Sequence, residues 1–264
     1  MKRKFGIVAS CLRNDPQIES LEKIKAAGFD GFFTSHGDLA ECCAMRKEAD
    51  RLGLDYQFIH APFKGINTFW TPGLDYLPLY TKCIESVDAA AEAGVPIVIM
   101  HLSSDWVPPQ ICDIGLARFD SFVEYAMKRG VKIAFENLRT LGNLAAIMDR
   151  YAQVENVGFC FDNGHEHCRA PRVKFIDLYA DRMICTHIHD NPGRDPIDPT
   201  VNNDLHLVPF DGTYDFKDMM DRMNKCGYEG ALTLELARKE PYLDMSDEDW
   251  LAMCYERLKK ISEM

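Results

Sequence analysis

Apolar and polar positions along this chain follow two rhythms, and the switches between them mark its elements. Five times a stretch with helical spacing ends in glycine, and an apolar run begins within a few residues. Ala27-Gly28 precedes 31–35, Leu52-Gly53 precedes 56–59, and Ala93-Gly94 precedes 96–100. Arg129-Gly130 precedes 132–135, and Cys226-Gly227 precedes 231–234. Glycine suits the left-handed position that closes a helix, so each is read as a helix-to-strand joint. Three further apolar runs, 5–9, 157–161 and 183–186, bring the expected strands to eight. Between them Tyr80, Cys83, Ile84, Val87 and Ala91 recur at steps of three and four, as do Leu251, Cys254, Leu258 and Ile261. Nearly continuous apolar strands alternating with amphipathic helices predict an α/β fold with its parallel sheet covered by helices. Eight such units closing on themselves make a (β/α)8 TIM barrel; an open, doubly wound sheet is the alternative.

Composition narrows this picture. At 264 residues the chain matches the roughly 250 typical of one such barrel, and no linker or low-complexity tract divides it, so residues 1–264 are expected to form one domain. No apolar run approaches the ~18 residues that cross a bilayer, and Met-Lys-Arg-Lys-Phe does not open a signal peptide, which predicts a cytoplasmic protein. The ten cysteines include no CxxC pair and several lie inside apolar runs, so they are read as reduced core thiols. A formal charge of −11 argues against nucleic acid as partner and fits a small neutral or cation-assisted substrate. A helical exterior is compatible with a monomer or a homo-oligomer.

The chemistry stands where the apolar runs stop. His36 follows the second strand, His60 the third and His101 the fourth. Glu136-Asn137 ends the fifth, Asp162-Asn163-Gly164-His165 the sixth, His187-Ile188-His189-Asp190 the seventh, and Leu234-Glu235 the eighth. A later loop adds Asp204-Leu205-His206. All eight histidines are expected at or just past a strand's carboxyl end and none within a helix. In a (β/α)8 barrel those ends meet at one mouth, where active sites are built. Several carboxylates buried together are costly unless a cation neutralises them, so a divalent metal ion is predicted. Glu136, Asp162 and Glu235 follow their strands directly, and His187 adds an imidazole, with His189 on the same strand face. Three carboxylates and one imidazole suit Mn, Co, Zn or Mg. His60, His101, His165, His189, Asp204 and His206 are candidates for substrate hydroxyls or further ions. In the loops, Phe63, Trp70 and Trp106 are candidates for stacking on a sugar, with loop packing as the alternative. Arg139, Arg169, Arg194 and Arg238 lie shortly after strand ends and are candidates for a phosphate or carboxylate. The acidic stretch from Asp244 to Asp249 is read as the start of the last helix, capped by Ser246.

At Phe135-Glu-Asn137, Asp162-x-x-His165, His187-x-His-Asp190, Asp204-x-His206 and Leu234-Glu-Leu236 the chain resembles the xylose isomerase-like barrel superfamily. That superfamily includes sugar and sugar phosphate isomerases and epimerases, inositol-pathway enzymes and endonuclease IV. The resemblance implies that Glu136, Asp162, His187 and Glu235 hold one divalent ion, that His165 contacts substrate, and that Glu136 and Glu235 exchange protons with it. Its implied activity is isomerisation or epimerisation of a sugar, sugar phosphate or polyol-derived substrate through an enediolate. An inosose-type dehydratase would use much the same apparatus. An endonuclease IV-like trinuclear zinc phosphoesterase acting on abasic DNA is a further alternative, since its nine ligands have counterparts in His60, His101, Glu136, Asp162, His165, His187, Asp204, His206 and Glu235. Against that branch, Asp162 is followed by Asn-Gly-His rather than Thr-Cys-His, and no lysine follows His187-x-His-Asp190. Pro209-Phe-Asp-Gly212 resembles a Pro-Gly-x-Gly loop of sugar-handling members.

Overall fold

The structure, a computed structural model, describes residues 3–12, 16–35 and 38–264; His36 lies outside them. Its strands are β1 (Phe5–Val8), β2 (Gly31–Ser35), β3 (Asp55–His60), β4 (Ile97–Met100), β5 (Lys132–Glu136), β6 (Val157–Asp162), β7 (Met183–His187) and β8 (Leu232–Leu234). All pair in parallel, in the order β7-β6-β5-β4-β3-β2-β1-β8. The remaining gap, between β7 and β8, closes through Ile188, the residue after β7. There Ile188 N donates to Thr233 O at 2.8 Å, and Glu235 N to Ile188 O at 3.1 Å. The eight expected strands are all present, displaced at their ends by at most one residue, and they form a TIM barrel.

Long helices α1 (Gln17–Ala26), α2 (Leu39–Leu52), α3 (Leu77–Ala93), α4 (Asp113–Lys128) and α5 (Leu141–Arg150) cover the barrel, followed by two short ones, α6 (Asn163–Arg169) and α7 (Phe175–Tyr179). α8 (Phe216–Lys225) and α9 (Asp247–Ser262) complete the jacket. The five glycines read as helix stops all have φ between 64° and 101°, where a side chain would be strained. Cys83 and Val87 of α3 are buried, as are Leu251, Cys254, Leu258 and Ile261 of α9. Ser246 caps α9 by accepting from Asp249 N at 3.1 Å. All ten cysteines are free thiols. No helix of the described residues is long and apolar enough to cross a membrane.

One irregularity positions the mouth. Between its pairings Phe32↔Tyr56 and Phe33↔Phe58, β3 carries an extra residue, Gln57. Tyr56 points outward, stacking on Phe32 at 4.6 Å between centroids and lying 2.5 Å from the Thr34 hydroxyl. Gln57 points inward, accepting from Thr233 Oγ1 at 2.8 Å in space left by Gly6 and Gly31, where a Cβ would collide with its side chain. Phe58 also faces inward, against Phe33 at 4.7 Å and His187 at 5.5 Å. The bulge therefore re-aims the upper half of the strand, and His60 enters the barrel rather than the helix layer.

Candidate metal centre

Asparagines fasten the strand ends that carry the site. Asn137 Nδ2 donates to Asp162 O, and its Oδ1 accepts from Asp162 N, both at 2.8 Å. Asn163 repeats the device one strand along, bonding His189 O and His189 N at 2.9 Å each. Each side-chain amide thus continues the ladder where the backbones diverge, fixing Asp162 beside Glu136 and His189 beside Asp162. The ladder itself sets Asp162 opposite His187. These asparagines had entered the sequence reading only as parts of motifs.

Glu136, 1% exposed, is the hub. Its Oε2 lies 2.9 Å from His101 Nε2 and 3.3 Å from His60 Nε2; its Oε1 lies 3.2 Å from both His187 Nδ1 and His165 Nδ1. His187 Nδ1 is also 3.2 Å from Glu235 Oε2. On the far side His165 Nε2 reaches Asp204 Oδ2 at 3.1 Å, His206 Nε2 lies 3.4 Å from Asp204 Oδ1, and His189 Nε2 lies 3.2 Å from Asp162 Oδ1. One donor atom each from Glu136, Asp162, His187 and Glu235 falls within 4.8 Å of the others. So do His60, His101 and Glu136, and likewise His165, Asp204 and His206. Glu136 thus belongs to two such groups, and Glu235, which also groups with His60 and His187 and with His189 and His206, to three.

Burial disfavours charge here, yet opposite charges win at most of these groups. Burial would push the His187 pKa down, but Glu235 and Glu136 raise it to about 10. His206 rises to about 9 against the same penalty, through Glu235 and Asp204. Glu136 is held well below the usual carboxylate range by His187 and His101, and Asp162 is lowered by His165 and His189. His101 goes the other way, lowered by burial. Even so, Asp162 Oδ2, His187 Nε2, Asp204 Oδ1 and both ring nitrogens of His189 are buried without a hydrogen bond. Unsatisfied donors and acceptors at this density are costly, and a divalent cation would satisfy the oxygens among them. Donor atoms within 4.8 Å of one another are near enough to share one ion, and three carboxylates with one imidazole are donors that divalent cations accept. The donor set fits such an ion.

An imidazole coordinates only when neutral, and His187 and His206 have pKa values of about 10 and 9 in the chain alone. Ion uptake at pH 7.5 is therefore expected to release at least about one proton per chain, with affinity rising as pH rises toward those values. Calorimetry in buffers of different ionisation enthalpy measures the release; heats independent of the buffer would contradict it.

Above the hub lies a cavity of about 150 Å³, bordered by His60, Phe63, His101, Glu136, His165, Arg169, Asp204, His206 and Glu235, with Ser103, Ser104 and Asp105 on the β4 side. Phe63 is the aromatic that reaches it, stacked on His101 at 4.1 Å. Trp70 does not reach it. It is 3% exposed, its Nε1 donates to Leu102 O at 2.6 Å, and its ring rests where a Cβ on Gly115 would stand. This is loop packing, and it corrects the stacking role considered for Trp70. Trp106 is 42% exposed at the rim, beneath Arg139. Of the other arginines, Arg169 bonds Asp204 Oδ2 at 2.9 Å, whereas Arg238 is spent on Asp247 and the Tyr242 carbonyl. The histidine pattern also needs correction. His165 and His167 lie within α6, a helix begun by the Asp162 side chain accepting from His165 N at 2.6 Å. His165 turns into the site, while His167 turns away and meets Thr213 Oγ1 at 2.9 Å.

Over residues 21–259 the chain matches the family described as xylose isomerase-like TIM barrel, and it belongs to that family. An uncharacterized protein of Methanocaldococcus jannaschii is 24% identical over 88% of this chain and 83% of its own. Inosose dehydratase of Glaesserella parasuis is 28% identical over 47% of either chain. Among solved structures, a D-tagatose 3-epimerase-like protein superposes with a TM-score of 0.75 at 22% identity, covering 98% of this chain and 97% of its own. D-allulose 3-epimerase from Methylomonas sp. gives a TM-score of 0.75 at 14% identity over 98% of both chains. At these identities the structural likeness speaks for the fold.

Proposed function

We propose that this chain is a divalent-metal-dependent isomerase or epimerase of a polyhydroxylated carbonyl compound. One observation carries the reading: Glu136 and Glu235 border the same cavity and also belong to the same four-residue donor group. Glu136, Asp162, His187 and Glu235 would hold the ion. When bound, it supplies an electrophile that stabilises negative charge developing on a carbonyl oxygen. One glutamate carboxylate removes the proton from the carbon beside that carbonyl, and the other returns a proton to the neighbouring or opposite position. His165, tied to Asp204, and His101, on Glu136, line the cavity where substrate hydroxyls would lie. Phe63 closes the β3 side of the cavity against water. Loss of a β-hydroxyl after the same proton abstraction would make the chain a dehydratase, and the inosose dehydratase similarity lends that variant support.

The second donor groups, His60-His101-Glu136 and His165-Asp204-His206, favour one other reading, a multinuclear phosphoesterase. Elemental analysis of the purified chain, paired with deuterium uptake from solvent into ketohexoses, tests both. One Mn, Co, Zn or Mg per chain with isotope appearing next to the carbonyl supports the isomerase. Two or three zinc ions per chain, cleavage of abasic DNA and no exchange into any ketose would replace it with the phosphoesterase.

A further inference from the structure

The rim of the cavity holds cations that this reading does not use. Arg139 stacks on Trp106, its guanidinium carbon 3.5 Å from the ring centroid, and Arg169 approaches the same ring at 5.9 Å. They come from different elements, the loop after β5 and the end of α6, so the fold gathers them. Arg139 is fixed further by donating from Nη1 to Asp105 O at 2.8 Å. The carboxylate of Asp105 bonds Ser104 and Asn67 instead. Among the described residues neither Arg139 nor Arg194 makes an ion pair. Burial, with Arg169 and Arg194 nearby, lowers the Arg139 pKa to about 10. Arg194 and Arg172 line an adjoining groove of about 710 Å³ that begins at Ala170, next to Arg169.

Like charges gathered on a protein of net charge −11 are unfavourable unless something anionic shares them. Solvated surface arginines would sit apart or beside carboxylates. Here one guanidinium is held rigid against an indole, a second is anchored to Asp204 and faces the reaction cavity, and a third, exposed, lines the groove that begins at the residue after the second. Rigid guanidinium forks recognise oxyanions. We infer that Arg139, Arg169 and Arg194 bind a terminal oxyanion of the substrate, so that the polyol this site accepts is a sugar phosphate or a sugar acid. The inference rests on the isomerase reading for its polyol and on the arginine geometry for its charge. The narrow cavity and the restriction of the cations to one side of the mouth favour a small anion over a nucleic-acid backbone.

The test compares affinities of the ion-loaded full chain, by calorimetry, for D-fructose, D-fructose 6-phosphate and D-fructuronate, with an abasic DNA duplex as the fourth ligand. At least one anionic probe is expected to bind about tenfold or more tightly than fructose. Which one does so separates phosphate from carboxylate. The ratio of anionic to neutral affinity should fall to about one in Arg139→Gln/Arg194→Gln, and part of the way in Arg194→Gln, an exposed position that leaves the core untouched. An oxyanion bound directly to the ion would ignore these substitutions. Equal affinities in the unaltered chain, failure of every anionic sugar to bind, a ratio that survives both substitutions, or a DNA duplex that binds more tightly and depends on the same arginines would each overturn the inference. Anion preference without deuterium exchange would leave it standing while ending the isomerase reading; exchange without preference would do the reverse.

Discussion

Glu235→Gln is expected to slow deuterium exchange into a ketose by about 10²–10⁴-fold, the range set by losing one positioned proton-transfer group. Glutamine keeps the shape and an oxygen, but accepts no proton from carbon. The two glutamates should then differ in what else they lose. Glu235 keeps 19% of its side chain in solvent and faces His187 and His206, so its variant should fold, with an ion affinity lowered by the loss of one charged donor. Glu136 is enclosed by four imidazoles, and neutralising it removes the charge that offsets them. Glu136→Gln should therefore lose exchange together with metal content. Undiminished exchange in both variants would end the assignment of these residues to proton transfer.

Trp70→Ala should cost about 3–5 kcal/mol of stability in urea unfolding, the usual penalty for deleting a buried aromatic. The ring fills a site against α4 that Gly115 keeps open, and its Nε1–Leu102 hydrogen bond is made in the interior. Removal leaves a cavity and an unanswered carbonyl. Trp106→Ala, at the exposed rim, should cost less than about 1 kcal/mol. Equal losses for the two would show that Trp70 is not a structural wedge.

These two tryptophans show where a linear reading stops. Each lies in the loop that follows a strand, and that placement alone does not say which turns inward. The strand-end glutamates and histidines were legible because a parallel barrel brings those positions to one mouth, so a one-dimensional rule carries a three-dimensional conclusion. The helix stops were legible because only glycine is comfortable at their φ. Helix α6 was not, being seven residues long and too short for a repeating apolar face. Its signal was local, an aspartate three residues before His165, and Asp162 had been read only as a metal ligand. The arginine cluster was visible as four separate residues; that three of them gather while Arg238 is spent on the last helix depends on loop paths no spacing encodes.

The extra residue in β3 gives that strand two frames. Counting by twos upward from Tyr56 sends His60 toward the helices; counting downward from His60 sends Tyr56 into the barrel. Each frame is right for its own half, and Gln57 is the join. Removing Gln57 would merge the frames without turning His60 or Tyr56 over. Removing Phe58 or Ile59 would do the same, because any single deletion between Tyr56 and His60 absorbs the bulge, whereas an insertion there adds a second residue beyond the register of β2. In comparing this chain with its relatives, a one-residue gap between Tyr56 and His60 can therefore be read as neutral for the mouth, whereas an insertion there would signal a strand paired differently with β2.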